Sequence, residues 1–414
     1  MASRHILIAN NIYPPIMAGG AELIVAYLAE GLAAKGNRVT VVSTCGPEME
    51  PYPVETRNGV EIIRFFPKNV YWSFARGNQQ PGYKKALWHL RDAWNQDANR
   101  RFQTILAEKQ PDVLHTHLID GLSAVLWRRA KRAGIPVLHT AHDYHLLCPR
   151  AFMLTRSLAL CTKPQIGCQL YRQWHLHTAA DVDLFTSPSQ FLIAKHLENG
   201  LQTKQTAVIR NGIPLPIVPP RQRASTAPLR FLFPARLTIE KGCEVVLAAM
   251  QHLPQELNFE LTVVGKGPLE EHFKSAAEKD KRLRFLGYVS GEQKTEIFSQ
   301  SDCLIIPSLW YENAPVVIVE AAAYGMGVIG SRIGAIPEFV DDEKTGLLFD
   351  PGNPQALAAA MITLIKNPSR LPQFAVNAQK LLTECTVDRM VASYSAWYET
   401  LLAQRAAGTA RIVA

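Results

Sequence analysis

At 414 residues, 47% hydrophobic and 19% charged, the chain is long enough for two cores and too apolar to be disordered. No apolar run reaches the roughly 18 residues of a membrane span, and the short apolar start His5–Ala9 runs straight into a turn, so it reads as a first strand and not a secretory signal. The net charge of +8 is lopsided: residues 1–205 hold 23 Lys and Arg against 15 Asp and Glu, while residues 206–414 hold 21 of each, so the first half is expected to face something anionic.

In chain order, apolar strands are predicted at His5–Ala9, Arg38–Ser43, Val60–Phe65, Val113–His117, Pro136–Ala141 and Leu184–Ser187. Helical patterns fall between them, at Ala21–Ala34, Tyr83–Glu108 and Leu122–Ala133. A stretch with four prolines, from Ile213 to Arg223, reads as a linker. The alternation then restarts. Strands are predicted at Leu229–Pro234, Phe259–Val264, Leu283–Leu286, Cys303–Ile306 and Gly327–Gly330, and helices at Gly242–Gln251, Pro268–Glu278, Pro315–Tyr324 and Gln355–Ile365. Such alternation predicts an α/β protein of two doubly wound, Rossmann-like domains, residues 1–205 and 206–387. A last helix, Val387–Leu402, carries Val391, Tyr394, Tyr398 and Leu402 at helical spacing, so one of its faces is expected to be buried.

Open parallel sheets bind ligands at the carboxyl ends of their strands. After the first strand comes Pro14-Pro-Ile-Met-Ala-Gly-Gly-Ala-Glu22, where Gly19 and Gly20 lead into a helix. Backbone N–H groups there can face an anion with no side chain in the way, or the loop is merely flexible. After strand Leu229–Pro234, Arg236 and Lys241 stand five residues apart at a helix start, a spacing suited to the two phosphates of a diphosphate or to a solvated helix end. The run Pro307-Ser-Leu-Trp-Tyr-Glu312-Asn-Ala-Pro315 is the most informative. Pro315 is expected as the first helical residue, with Asn313 and Ala314 capping. Glu320 then falls in an otherwise apolar helix, where a carboxylate needs a partner: ligand hydroxyls, or a buried arginine.

These residues resemble the donor site of glycosyltransferase family 4, retaining enzymes of the GT-B fold that use nucleotide sugars. Arg236 with Lys241, and Glu312 with Glu320 at seven intervening residues, carry the resemblance. Further signposts follow in the family's order: Gly19-Gly20-Ala-Glu, Pro111-Asp-Val-Leu-His-Thr-His117, Thr140-Ala-His142-Asp, Val208-Ile-Arg-Asn211-Gly, Val264-Gly-Lys-Gly-Pro, Leu286-Gly-Tyr-Val and Gly334-Ala-Ile-Pro-Glu338. The resemblance spans nearly the whole chain. It implies that the two domains face a central cleft, that residues 388–414 cross back onto the first domain, and that the first domain takes the acceptor. It also implies roles: Arg236 and Lys241 on the diphosphate, Glu320 on the ribose, Glu312 on the donor sugar, His142 beside the anomeric carbon, and Gly19 and Gly20 against phosphate. Many members carry Gly-Phe-Gly where this chain has Asn313-Ala314-Pro315, which bears on how closely that backbone approaches the sugar.

Breaking a sugar–phosphate bond builds negative charge on the leaving diphosphate, which fixed cations and helix N-termini stabilise. No Asp-x-Asp motif accompanies the donor residues, so neither metal nor cofactor is expected, and a UDP-sugar is the preferred donor. The reading is thus a metal-independent hexosyltransferase acting on a saccharide or lipid-linked acceptor. A sugar-nucleotide 2-epimerase and a soluble small-molecule glycosyltransferase are the alternatives. Gly265-Lys-Gly267-Pro lacks the third glycine of a dinucleotide fingerprint, which speaks against a dehydrogenase, and the intact acidic and basic residues speak against a non-catalytic binding partner.

Two more groups stand out. Residues 64–102 hold nine aromatics and eight Lys and Arg against Asp92 and Asp97. That mixture suits an anionic membrane surface, or an acceptor-side helix with its aromatics turned inward; nucleic acid is not expected, since no nucleic-acid motif accompanies it. Cys148, Cys161 and Cys168 lie near His142, His145, His175 and His177. They can be read as zinc ligands or as ordinary thiols; the odd total of seven scattered cysteines argues for reduced thiols and a cytoplasmic location.

Overall fold

The structure is a computed structural model that describes residues 3–50, 52–75, 79–216 and 227–413, the last six as backbone alone. It divides into two units: residues 1–153, 162–213 and 387–414, and residues 154–161 and 214–386. Most of the proline-rich stretch, residues 217–226, lies outside the described residues.

The first unit is built on strands β1 (His5–Ala9), β2 (Arg38–Thr44), β3 (Glu55–Arg57), β4 (Val60–Phe65), β5 (Val113–Thr116), β6 (Val137–Thr140), β7 (Leu184–Ser187) and β8 (Thr206–Val208). They form one sheet in the order β3-β4-β2-β1-β5-β6-β7-β8, parallel except for the edge strand β3. Helices cover both faces of such a sheet, so its strands read as unbroken apolar runs, and every residue of β1 is buried. β5 and β6 share the sequence Val-Leu-His-Thr, and their polar halves satisfy each other across the sheet. His115 Nε2 lies 2.7 Å from Thr140 Oγ1, and Thr116 Oγ1 lies 2.9 Å from His139 Nδ1.

The helix at the C-terminus, Val387–Val413, belongs to this unit and packs against helix Ala21–Ala34. Its buried stripe is Met390, Val391, Tyr394, Tyr398 and Leu401; Leu402, the expected fourth member, is only half-buried because Leu401 holds the position one turn beyond Tyr398. Tyr398 and Tyr394 reach the sheet, their hydroxyls 2.7 Å from His115 Nδ1 and 3.0 Å from Thr140 Oγ1. Arg4 closes the far end with a bidentate pair to Glu399, both bonds 2.8 Å.

The second unit holds β9 (Leu229–Pro234), β10 (Phe259–Val264), β11 (Leu283–Phe285), β12 (Cys303–Ile306), β13 (Gly327–Ser331) and β14 (Gly346–Phe349). Their order is β11-β10-β9-β12-β13-β14 and every pairing is parallel. The core runs from Phe231 and Phe233 through Phe273 to Leu357 and Phe374.

Many boundaries differ from the sequence expectation by a residue or two, and four differences have a visible cause. β8 pairs with β7, so the first unit extends to Ile213 and not 205. The single helix expected over Tyr83–Glu108 is two, Gly82–Ala93 and Gln96–Lys109, because the Asn95 side chain accepts from Ala98 N (3.0 Å) and starts a new helix. The helix expected at Leu122–Ala133 begins only at Leu126, after Ser123 adopts φ +67°. Pro315 stands just before helix Val316–Ala323 instead of inside it, which moves Asn313 and Ala314 one residue further out.

Candidate active site

In the second unit the strand order reverses between β9 and β12, the point where an open sheet leaves a crevice at its carboxyl edge. Arg236 leaves β9 there and the segment Pro307–Pro315 leaves β12. Gly242 lets these two loops close: it sits at φ +77°, and a Cβ on it would lie 1.9 Å from the Pro307 carbonyl oxygen. Gly334, at φ +60°, brings a third loop onto Glu312, where a Cβ would meet the Glu312 backbone nitrogen at 2.5 Å. Ala335 N then donates to the Glu312 carbonyl at 2.7 Å.

Glu312 is buried, and three donors converge on its Oε1: Lys241 Nζ at 2.7 Å, Ser308 Oγ at 2.6 Å and Trp310 Nε1 at 2.8 Å. Burial alone would raise this carboxyl. The Lys241 charge and the three hydrogen bonds outweigh it and hold the group below its ordinary value, so Glu312 is ionised at neutral pH. Lys241 also lies 4.8 Å from the Trp310 ring centre. Arg236 is more exposed, its guanidinium 3.6 Å from Glu240.

These groups line a cavity of about 260 Å³ bounded by Arg236, Lys241, Ser308, Glu312 and Val316. Arg236 and Val317 also line a second cavity of about 790 Å³, with Gly265, Lys266, Tyr288, Ser290, Lys294 and Glu320. Glu320 is therefore neither fully buried nor unpaired: Lys294 Nζ meets its Oε1 at 2.6 Å, filling the place of the buried arginine considered from sequence. Lys294 is separated from Glu320 by 26 positions, and no local pattern links them. Lys266 and Tyr288 were marked in the sequence only by the Val264-Gly-Lys-Gly-Pro and Leu286-Gly-Tyr-Val signposts in which they stand, with no role attached.

In the first unit the order reverses between β1 and β5. Gly20 caps helix Ala21–Ala34 after β1, and the Glu22 carboxylate accepts from Gly19 N at 3.0 Å. A Cβ on Gly20 would meet nothing within 4 Å, so the fold itself does not require glycine there. His117 follows β5 and His142 follows β6; His117 Nδ1 and His142 Nε2 lie 2.9 Å apart with the rings stacked. Desolvation drives His142 down to about 4 and His117 well below its ordinary value, so both rings are neutral at pH 7 and one donates to the other. Burial pushes the neighbouring Asp143 up to about 7, helped by the charges of Asp120 and Glu22. The structure thus groups Gly19, Gly20 and His142 on the first unit, and Arg236, Lys241, Glu312, Asn313, Ala314 and Glu320 on the second.

Among the described residues no group of three or more His, Cys, Asp and Glu is arranged to hold a metal ion, and the three loop cysteines with their histidines form no such cluster. All seven cysteines are free thiols. No helix among the described residues is long and apolar enough to cross a membrane.

The comparisons bear on the fold and the family. A protein encoded in the cps region of Klebsiella pneumoniae is 29% identical over 81% of this chain and 87% of its own length. Sucrose-phosphate synthase from Thermosynechococcus elongatus superposes with a TM-score of 0.73 at 20% identity, covering 97% of this chain and all of its own. HepE from Anabaena, solved in complex with UDP-glucose, superposes with a TM-score of 0.67 at 18% identity, covering 96% and 100%. Residues 18–215 match the model for Glycosyltransferase Family 4 and residues 219–381 that for Glycosyl transferases group 1; the chain is a glycosyltransferase of family 4 with the GT-B fold.

Proposed function

We propose that the chain moves a hexose from a nucleotide diphosphate sugar, a UDP-sugar by preference, to a saccharide or lipid-linked acceptor of cell-surface polysaccharide synthesis, with retention of configuration. The observation that carries this is the ionised Glu312 locked to Lys241 beside Arg236, at the strand-order reversal and next to a cavity reaching Glu320. Lys241 gives Glu312 one of its three N–H groups and keeps others for a phosphate oxygen. Arg236, exposed at the mouth, supplies the forked second contact. Glu320 shares its carboxylate between Lys294 and ribose hydroxyls, and Tyr288, a largely exposed ring, offers a face to the base.

With the diphosphate held by two side-chain cations and a helix start, its charge on departure is stabilised by groups already in place, so the reaction is read as metal-independent. Gly20, which the fold does not require, leaves room for a phosphate at the start of helix Ala21–Ala34. His142, neutral and fixed by His117, is read as the partner of the donor sugar on the acceptor side. Retention is carried from the family, as a front-side attack assisted by the departing phosphate. Kinship with a protein of a cps region supports a polysaccharide acceptor, and UDP-glucose in HepE supports uridine. The test is transfer from a panel of UDP-, GDP- and ADP-sugars, with the product anomer read by NMR. A new sugar nucleotide formed without acceptor would instead mark an epimerase.

A further inference from the structure

We infer that the first unit docks on an anionic lipid bilayer through a face made of two helices, Gly82–Ala93 and Ile166–Ala179, joined at Trp94 and Trp174. This rests on the reading that the acceptor is lipid-linked, and it narrows the aromatic stretch 64–102 to one helix of it and adds a second helix from outside. Of the nine aromatics in that stretch, Phe65, Trp88 and Phe102 are buried in the unit and unavailable to lipid.

What remains outside forms a stripe. Tyr83 is 71% exposed, Leu87 51%, Leu90 72% and Trp94 47%. Their spacing of four, three and four residues puts all four on one side of the helix and its end, away from buried Trp88 and Asp92. The second helix repeats the pattern with Ile166 at 76% and Leu170 at 62% exposure. The two stripes meet where Trp94 and Trp174 lie 5.8 Å apart between ring centres, with Trp174 Nε1 donating to the Ala93 carbonyl at 2.9 Å. Apolar groups of this size exposed in one run mark an interaction surface.

Charge selects the partner. Helix Gly82–Ala93 carries Lys84, Lys85 and Arg91, and its one acid, Asp92, is buried and accepts from Gly121 N. Helix Ile166–Ala179 carries no acid at all. Basic residues beside exposed Leu, Ile, Trp and Tyr, with no exposed acid on either helix, match a surface of anionic headgroups over acyl chains.

The test is co-sedimentation of the full chain with vesicles of phosphatidylcholine alone and of phosphatidylcholine with an equal part of phosphatidylglycerol. Binding is expected to the anionic vesicles, with a tenfold or greater loss in the pair Leu87→Glu and Leu90→Glu, and separately in Leu170→Glu. Val54→Glu, at an exposed apolar residue elsewhere on the same unit, is expected to bind like the parent. UDP binding by calorimetry and the melting temperature should be unchanged in all of them. If charge reversal of Lys84, Lys85 and Arg91 abolishes binding while Leu170→Glu leaves it intact, the membrane reading survives and this two-helix face is wrong. If nothing sediments on anionic vesicles at low salt, both fail. A parent that stays in solution as a dimer split by Leu170→Glu would mean that a second copy covers the face, which also overturns the inference.

Discussion

Lys241 Nζ and Glu312 Oε1 lie 2.7 Å apart across 71 residues of sequence, in a pocket where Glu312 is almost fully buried. Removing either partner alone therefore does two things. Lys241→Ala should lower catalytic efficiency by a factor of roughly thirty to a hundred, the effect of losing a charge-assisted contact of about 2–3 kcal/mol. It should also destabilise the second unit, because the Glu312 charge stays buried with hydroxyl and indole donors only. The double variant Lys241→Met with Glu312→Gln is expected to regain melting temperature and not activity. Thermal melts beside kinetics separate the two effects; full activity in Lys241→Ala would end the assignment.

Glu320 and Lys294 give a second, milder pair, each partly exposed. Glu320→Gln is expected to weaken donor binding by about 2 kcal/mol without a change in melting temperature, because the amide still fits beside Lys294. Lys294→Ala frees the carboxylate and should leave donor binding the same or tighter. Titration of UDP into both variants checks the pair, and weaker binding in Lys294→Ala would make the lysine itself a donor contact.

The pair also sets an acid limit. The Glu312 carboxyl is lowered in the folded state, so its contribution is complete above the ordinary value of 4.5 and is lost as the pH falls through the folded one. The first unit responds earlier. Burial lowers His5, His89, His115, His117, His139, His142, His145, His175 and His196, so between 6.5 and about 4 the unfolded chain binds more protons than the folded one. Buried Asp92, Asp120 and Asp143 are raised and act in the opposite sense, but they are three against nine. The melting temperature is expected to fall from pH 7 to pH 5, as scanning calorimetry would record. A flat profile would mean these rings charge without cost.

Gly31 and Val391 test the C-terminal helix. A Cβ on Gly31 would lie 2.6 Å from Val391 Cγ2, a stiff branched side chain. Gly31→Ala should cost about 1–3 kcal/mol, and Val391→Ala in the same chain should recover part of it. Truncation at Asp388 should lower the melting temperature further, since His115 and Thr140 lose the hydroxyls of Tyr398 and Tyr394. An unchanged melt after truncation would contradict the packing.

Candidate groups that follow a strand end were legible in the sequence. Arg236, Lys241, Glu312 and His142 each sit a few residues past a long apolar run, and polar groups there face the crevice. Edge strands were less legible: β3 and β8, three residues each and largely exposed, carry no apolar run, and β14 at the edge of the second sheet was missed as well. Pairings made by folding left no local trace. His117 and His142 are 25 positions apart, and Lys294 and Glu320 are 26. Helix Ile166–Ala179 escaped for another reason. Its exposed face holds Ile166 and Leu170 and its inner face His175 and Thr178, so its polarity is partly inverted relative to a solvent-facing helix.

If Arg236, Lys241 and a helix start answer the diphosphate as proposed, treatment with EDTA leaves transfer intact. A complete loss restored by magnesium or manganese would require a metal in the mechanism.

The central claim is that donor chemistry depends on Lys241, Glu312 and Glu320 of the second unit. Its most direct test is calorimetric titration of UDP into the parent, Lys241→Ala and Glu320→Gln under one set of conditions. The account requires one site in the parent, with affinity lowered about thirtyfold or more in each variant, on the order of 2 kcal/mol. Equal affinity in all three proteins would contradict it.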